Sequence, residues 1–281
     1  MKNILKIMLM MITIYTITGS AVYAAEIPVS DQDQLITSRD WTEISNLQDE
    51  MKKEEPDATI DYDKALKVYV DCNLIKLQTA DTKKLTSALE SANYVWVIPF
   101  KMEKTYGMFT VAKGLPLREE AKSVLTKAEQ EEVKNHAGKW MITETAEHTV
   151  EPYYDILLEK REALSDCTRV VLVGSQPGMR QPVALGMDDE TARIWISLGY
   201  QYPVMEKIPE TQNVESGVYS FDSVAEISDT YIEDSEVSTG AGVQSRSSMK
   251  YVAGIGIIVI VSILILSAVS YTHLTLPTNS R

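Results

Sequence analysis

Tyr94-Val95-Trp96-Val97-Ile98 is a nearly continuous β-branched and aromatic run, and the weaker alternation of Thr105 to Ala112 follows it after a short polar step. Two such runs with no helical stretch between them predict a hairpin. Upstream, Leu66-Lys67-Val68-Tyr69-Val70 alternates as a strand, and Asp81 to Ala92 carries Leu85, Ala88 and Leu89 at helical spacing behind an Asp81 N-cap. Downstream, Leu117 to His136 is rich in Glu, Lys, Ala and Leu and ends at Ala137-Gly138. It reads as one helix, or as two broken near Thr126. Trp140 to Thr143 then reads as strand, Glu144 to His148 as a polar turn, and Pro152 to Leu164 as helix, with proline suited to a first turn. Arg169–Val173, Val183–Met187 and Arg193–Leu198 are three further short strands, the last two joined by an Asp188-Asp189-Glu190 turn. Strands that occur both in adjacent pairs and alternating with helices predict an α+β fold. The expectation is a single extracytoplasmic domain over 62–205, with a mixed sheet and three to four helices.

On either side of that block the composition turns acidic. Residues 25–61 form an acidic N-terminal segment in which Asp40-Trp41-Thr42-Glu43 has capping-box spacing. Trp41, Ile44, Leu47 and Met51 follow at helical steps until Pro56, which predicts one amphipathic helix over about 41–54. Packing against the domain that follows is its first expected role, and binding a partner the second. Residues 206–250 are rich in Ser, Thr and Gly, and positions 209–245 hold 8 acidic and no basic side chains. Such a self-repelling stretch predicts a stalk.

The two ends predict an address. Lys2 and Lys6, the apolar run Ile7 to Ile17 and the small-residue site Val22-Tyr23-Ala24 have the form of a secretory signal peptide over 1–24. Val252 to Ala268 contains no charge, and its 17 residues would cover roughly 25 Å as a helix, a little short of the ~30 Å hydrocarbon core. Residues 251–268 are therefore expected to be a transmembrane helix. With a cleaved signal, the ectodomain lies outside and the C-terminus in the cytoplasm. Arg246 and Lys250 sit on the outer flank and no basic cluster follows the span, against the usual bias. Val269 to Thr278 resembles the translation of a sequencing adapter. Residues 269–281 are accordingly read as non-native, with the natural chain broken off inside its span. The layout of signal, α+β domain, acidic stalk and single span resembles that of cell-envelope proteins of Gram-positive type.

The full chain has 281 residues, 27 basic against 40 acidic, and a formal net charge of -13. That balance argues against nucleic acid and anionic lipid headgroups, both of which reward basic patches. Two cysteines are too few for a disulfide-stapled miniprotein or a four-cysteine zinc module.

Candidate chemistry is sparse. Val173-Gly174-Ser175-Gln176-Pro177-Gly178 carries a strand into a glycine-rich turn, where Ser175 and Arg180 could hold a carboxylate or phosphate. Ser175 lacks the flanking glycines of a nucleophile elbow, and no Gly-Lys-Ser/Thr follows to make a phosphate loop. Pro177-Gly178 is what a turn requires. His136 and His148 lie too far apart to share a helix face, so no metal or cofactor motif is found. Cys72 and Cys167 flank predicted strands and would form a disulfide if those strands were antiparallel neighbours; buried free thiols are the other reading. No catalytic residue is assigned. The leading reading is a non-catalytic binding, sensing or accessory module for a protein, peptide or envelope ligand. The alternative is a membrane-tethered cell-envelope hydrolase using Ser175, Arg180 and His148.

Overall fold

The structure, a computed structural model, describes residues 27–148, 151–174, 176, 179, 181–199, 208, 213–215 and 217–227. The expected signal peptide, membrane span and adapter-like tail lie outside the described residues, as does most of the expected stalk. Among the described residues no helix is long and apolar enough to cross a membrane.

The hairpin read from Tyr94 to Ala112 lies next to one edge of a ten-stranded mixed sheet. Its strands are β1 (Thr59–Ile60), β2 (Leu66–Val70), β3 (Asn93–Lys101), β4 (Tyr106–Lys113), β5 (Trp140–His148), β6 (Arg169–Val173), β7 (Val183–Met187), β8 (Ala192–Ser197), β9 (Asn213–Glu215) and β10 (Val218–Ser220). The spatial order is β5-β4-β3-β2-β6-β7-β8-β10-β9, with β1 extending the line of β2 along β3. Every neighbouring pair is antiparallel except β2 with β6, where Val68 lies opposite Leu172 and Tyr69 opposite Val173. The fold is therefore α+β around a large mixed sheet.

Helices α1 (Trp41–Ile44), α2 (Gln48–Glu54), α3 (Thr82–Ser91), α4 (Glu119–Lys122), α5 (Lys127–His136) and α6 (Tyr153–Glu159) are joined to the strands by short 3-10 turns and loops, and residues 221–227 after β10 are helical as well. A 3-10 turn at Ser45–Leu47 joins α1 and α2 into the helical stretch expected over 41–54. Thr126 separates α4 from α5 through a capping box with Glu129. At α3 the Asp81 side chain accepts from the Lys84 N–H, as its N-cap position predicts.

Alternation along the strands sorts the core into layers. Leu66, Val68, Val70, Val170 and Leu172 face one side, where Tyr153, Ile156 and Leu157 of α6 cover them. The opposite face carries two separate clusters. Ile44 and Met51 pack with Trp96, Ile98, Phe109 and Trp140 over β3–β5. Leu85 and Leu89 of α3 pack with Val171, Leu185 and Trp195 over β6–β8. Strand β2 lies under the seam between these clusters.

Three boundaries differ from the expectation. Leu35, Ile44 and Met51 are completely buried, so residues 27–61 belong to the folded body rather than to a segment before it. β10 pairs with β8, which brings residues assigned to the stalk into the sheet. The polar 144–148 stretch is strand, not turn: β5 runs to His148 as an edge strand, where Thr143, Thr145 and Glu147 need no apolar partner.

Candidate functional site

The seam is polar at its base because a buried carboxylate occupies it. The parallel strands β2 and β6 part at their start, and the chain at 28–34 enters the fork. Val29 bridges to Val170 and Gln34 to Leu66. This delivers Asp33, 2 % exposed, between the two strands. Its Oδ1 accepts from the Tyr69 hydroxyl at 2.7 Å and lies 3.4 Å from Lys67 Nζ. Its Oδ2 accepts from Ser30 Oγ at 2.6 Å and from Arg169 Nη2 at 3.0 Å. Burial alone would raise the Asp33 pKa, but the Ser30 and Tyr69 hydrogen bonds and the Arg169 and Lys67 charges hold it below the usual carboxylate value.

Lys67 is itself buried, and its Nζ lies over the rings of Tyr69, Tyr94 and Trp96 at 5.7, 4.7 and 5.2 Å. The register explains the grouping, since Lys67 is directly opposite Trp96 and Tyr69 opposite Tyr94. Burial lowers the Lys67 pKa, with Asp33 opposing that shift. A second buried carboxylate, Asp40, accepts from the Tyr94 hydroxyl at 2.9 Å and Trp96 Nε1 at 3.1 Å, both through Oδ2. Asp40 therefore does not cap α1 as its sequence position predicts; its backbone is helical and its side chain makes no capping bond.

Above this base two clefts adjoin. One, of about 420 Å³, lies between residues 31–40 and the end of α3. The other, of about 530 Å³, runs on toward Lys113, Gly114 and Trp140. Both share Arg39, Asp40, Ala92 and Tyr94, so they form one groove along the seam. At its far end Lys113 pairs with Trp140 across β4 and β5, and Lys113 Nζ lies 5.4 Å over the indole. Trp140 is 7 % exposed and lines the groove, and its buried Nε1 has no hydrogen-bond partner among the described residues.

The residues singled out from sequence are not gathered here. Ser175 and Arg180 lie outside the described residues. Gln176 between them is 3 % exposed; it donates to the Cys72 and Gly174 carbonyls at 2.6 and 2.9 Å and accepts from the Leu74 N–H at 3.1 Å. The Met179 N–H returns to the Gln176 carbonyl at 2.9 Å, closing the turn. Gly174, next to Ser175, continues the end of β6 that aligns with Tyr69 and Tyr94. His148 closes β5 opposite Tyr106, at the other end of the sheet and four strand spacings away, roughly 20 Å across.

Of the two readings of Cys72 and Cys167, the structure has the free thiols and no disulfide between them. Their strands are neighbours but parallel, so Cys72 just past the end of β2 and Cys167 just before β6 lie at opposite ends, separated by at least the roughly 17 Å that the paired strands span. A bridge requires Cα atoms within about 7 Å.

A half-buried Glu144 is a further site that the sequence left unmarked. It lines a cavity of about 40 Å³ with Thr110, Tyr153 and Gln181 on the opposite face, and burial raises its pKa despite a Thr110 hydrogen bond. Among the described residues no group of three or more His, Cys, Asp or Glu side chains is placed to hold a metal ion. No family model matches the chain, and neither a curated protein nor a solved structure matches it.

Proposed function

We propose that this chain is a bacterial, membrane-anchored extracytoplasmic binding module that holds its ligand in the seam groove. The observation that supports the reading is the groove itself. It joins two clefts over a base of buried, mutually satisfied charges and aromatic rings, so its walls are fixed before a ligand arrives. Such preorganisation lowers the ordering cost of binding. The display part of the proposal rests on the signal-like N-terminus and the uncharged 251–268 stretch. In that arrangement the domain stands outside the membrane on an acidic stalk.

Two experiments test the two parts. Protease added to intact cells that carry the gene product is expected to digest the folded domain; full protection until the cells are lysed would contradict the display. For the groove, Ala92→Trp places a large side chain at a residue that lines both clefts. The variant is expected to lose binding to whichever envelope peptide or glycan the native chain retains in a screen, with its unfolding midpoint preserved. Equal retention by the variant would contradict the site.

A further inference from the structure

Lys67 is the one buried lysine among the described residues, yet it is not sealed off. Of its side-chain surface 10 % remains exposed, and the residue lines the 420 Å³ cleft together with Tyr69 and Tyr94. Its contact with Asp33 is the loosest in the buried cluster. Nζ stands 3.4 Å from Oδ1, long for a direct hydrogen bond, whereas the Tyr69 hydroxyl reaches the same oxygen at 2.7 Å. Ring faces make up much of what else surrounds the ammonium, those of Tyr94 and Trp96 at 4.7 and 5.2 Å. Such surroundings favour a nucleophilic lysine. Burial lowers the Lys67 pKa, so more free amine is present at neutral pH than on an exposed lysine.

Resting on the reading of the seam as a ligand site, we infer that Lys67 captures a small uncharged hydroxyaldehyde in this cleft as a reversible imine. Nζ gives up one proton by way of Asp33 Oδ1, and its lone pair adds to the carbonyl carbon while the C–O π electrons pass to oxygen. The carbinolamine then loses that oxygen as water, which carries away two of the three ammonium protons, and a C=N bond replaces C=O. Ammonium plus aldehyde gives protonated imine plus water, so the positive charge stays where it was. Asp33 keeps its counter-charge, and the rings keep their cation. This balance selects the ligand class. Acylation of Lys67 would remove the charge that Asp33 answers. An anionic aldehyde would meet Asp40 at the base and the exposed Asp31 and Glu90 on the wall, where Arg39 is the one exposed cation. The hydroxyls of an uncharged hydroxyaldehyde instead have those carboxylates as acceptors.

The test is reductive trapping of the full chain with glyceraldehyde and sodium cyanoborohydride, stopped while adducts are few, followed by digestion and mass mapping of each lysine. The reductant belongs to the assay and only fixes the imine as a secondary amine. In the folded chain Lys67 is expected to be labelled ahead of the exposed Lys83 and Lys84, and in urea that preference is expected to vanish. Ala92→Trp, which fills the cleft, is expected to lose the Lys67 adduct while Lys83 and Lys84 react as before. Glyoxylate, an anionic aldehyde, should show a smaller preference for Lys67; a larger one would overturn the uncharged class. Labelling of Lys67 no faster than in the unfolded chain would overturn the inference and leave the groove reading standing, since a ligand can bind there without covalent capture. Undiminished Lys67 labelling in Ala92→Trp would count against both, because the aldehyde would then reach the amine by a path outside the groove.

Discussion

Arg169 Nη2 donates to Asp33 Oδ2 at 3.0 Å, joining residues 136 positions apart at the fork between the two parallel strands. The contact closes a buried cluster in which one carboxylate answers two cations. With both Asp33 oxygens used, the 27–35 segment is fixed to β2 and β6 together, and the seam groove inherits a rigid base.

Asp33→Asn is expected to destabilise the protein by about 3 kcal/mol, because the buried Lys67 and the half-buried Arg169 would both lose their ion-pair partner. Urea unfolding followed by far-UV circular dichroism measures this. A loss below about 1 kcal/mol would mean that water reaches the cluster and screens it.

The pH dependence has a defined sign. The folded Asp33 pKa is depressed below 3.8, so its contribution is present above that value and is lost as pH falls through the folded pKa. Glu144 works in the opposite direction. Its folded pKa is raised above 4.5, so its ionisation costs stability as pH rises through that region. Glu144→Gln is accordingly expected to be neutral or mildly stabilising at pH 7, and Asp33→Asn to flatten the acid limb of the stability curve. Unfolding midpoints between pH 3 and 7 check both; a destabilised Glu144→Gln at pH 7 would contradict the assignment.

Gly107 lies opposite Phe100 across the β3–β4 hairpin, and a Cβ there would overlap the Phe100 ring. That ring also packs on Phe109, with centroids 4.6 Å apart, so it has little room to move. Gly107→Ala is expected to cost roughly 1–3 kcal/mol through overpacking. Thermal unfolding measures it, and an unchanged midpoint would show that the ring can shift aside.

Burial pushes the Cys72 thiol up to about 12 and the Cys167 thiol up to about 11. Both are therefore protonated at neutral pH, and the folded protein should resist iodoacetamide until denatured. Intact mass after alkylation, with and without prior reduction, tests this. A difference between the two treatments would reveal a disulfide and contradict the parallel pairing of β2 with β6.

Much of the fold is legible in the chain because local signals there agree with tertiary ones. Asp81 caps α3, Thr126 with Glu129 starts α5, and the hairpin alternation matches the β3–β4 register. The site is less legible. Asp40 carries a capping pattern, but Tyr94 and Trp96 compete for the same carboxylate and win because they are buried with it. Asp33 sits in an acidic stretch that reads as solvated, and nothing local announces that Lys67 and Arg169 will meet it. One signal was available: Lys67 interrupts an otherwise apolar β2, and a lysine in a buried strand needs a carboxylate from elsewhere. β9 and β10 were hidden because strands of three residues carry too little periodicity to stand out from a polar stretch.

The proposed ligand site is the seam groove rather than the turn that follows β6. Nitrogen-15 NMR of the full chain, titrated with the envelope peptide or glycan retained in the binding screen, decides between the two, with the indole signal of Trp140 identified through Trp140→Phe. The Trp140 indole and the Tyr94 and Lys113 amides are expected to shift together while the Trp195 indole stays in place. Shifts gathered instead at Val173, Gly174, Gln176 and Met179, with Trp140 unmoved, would contradict it.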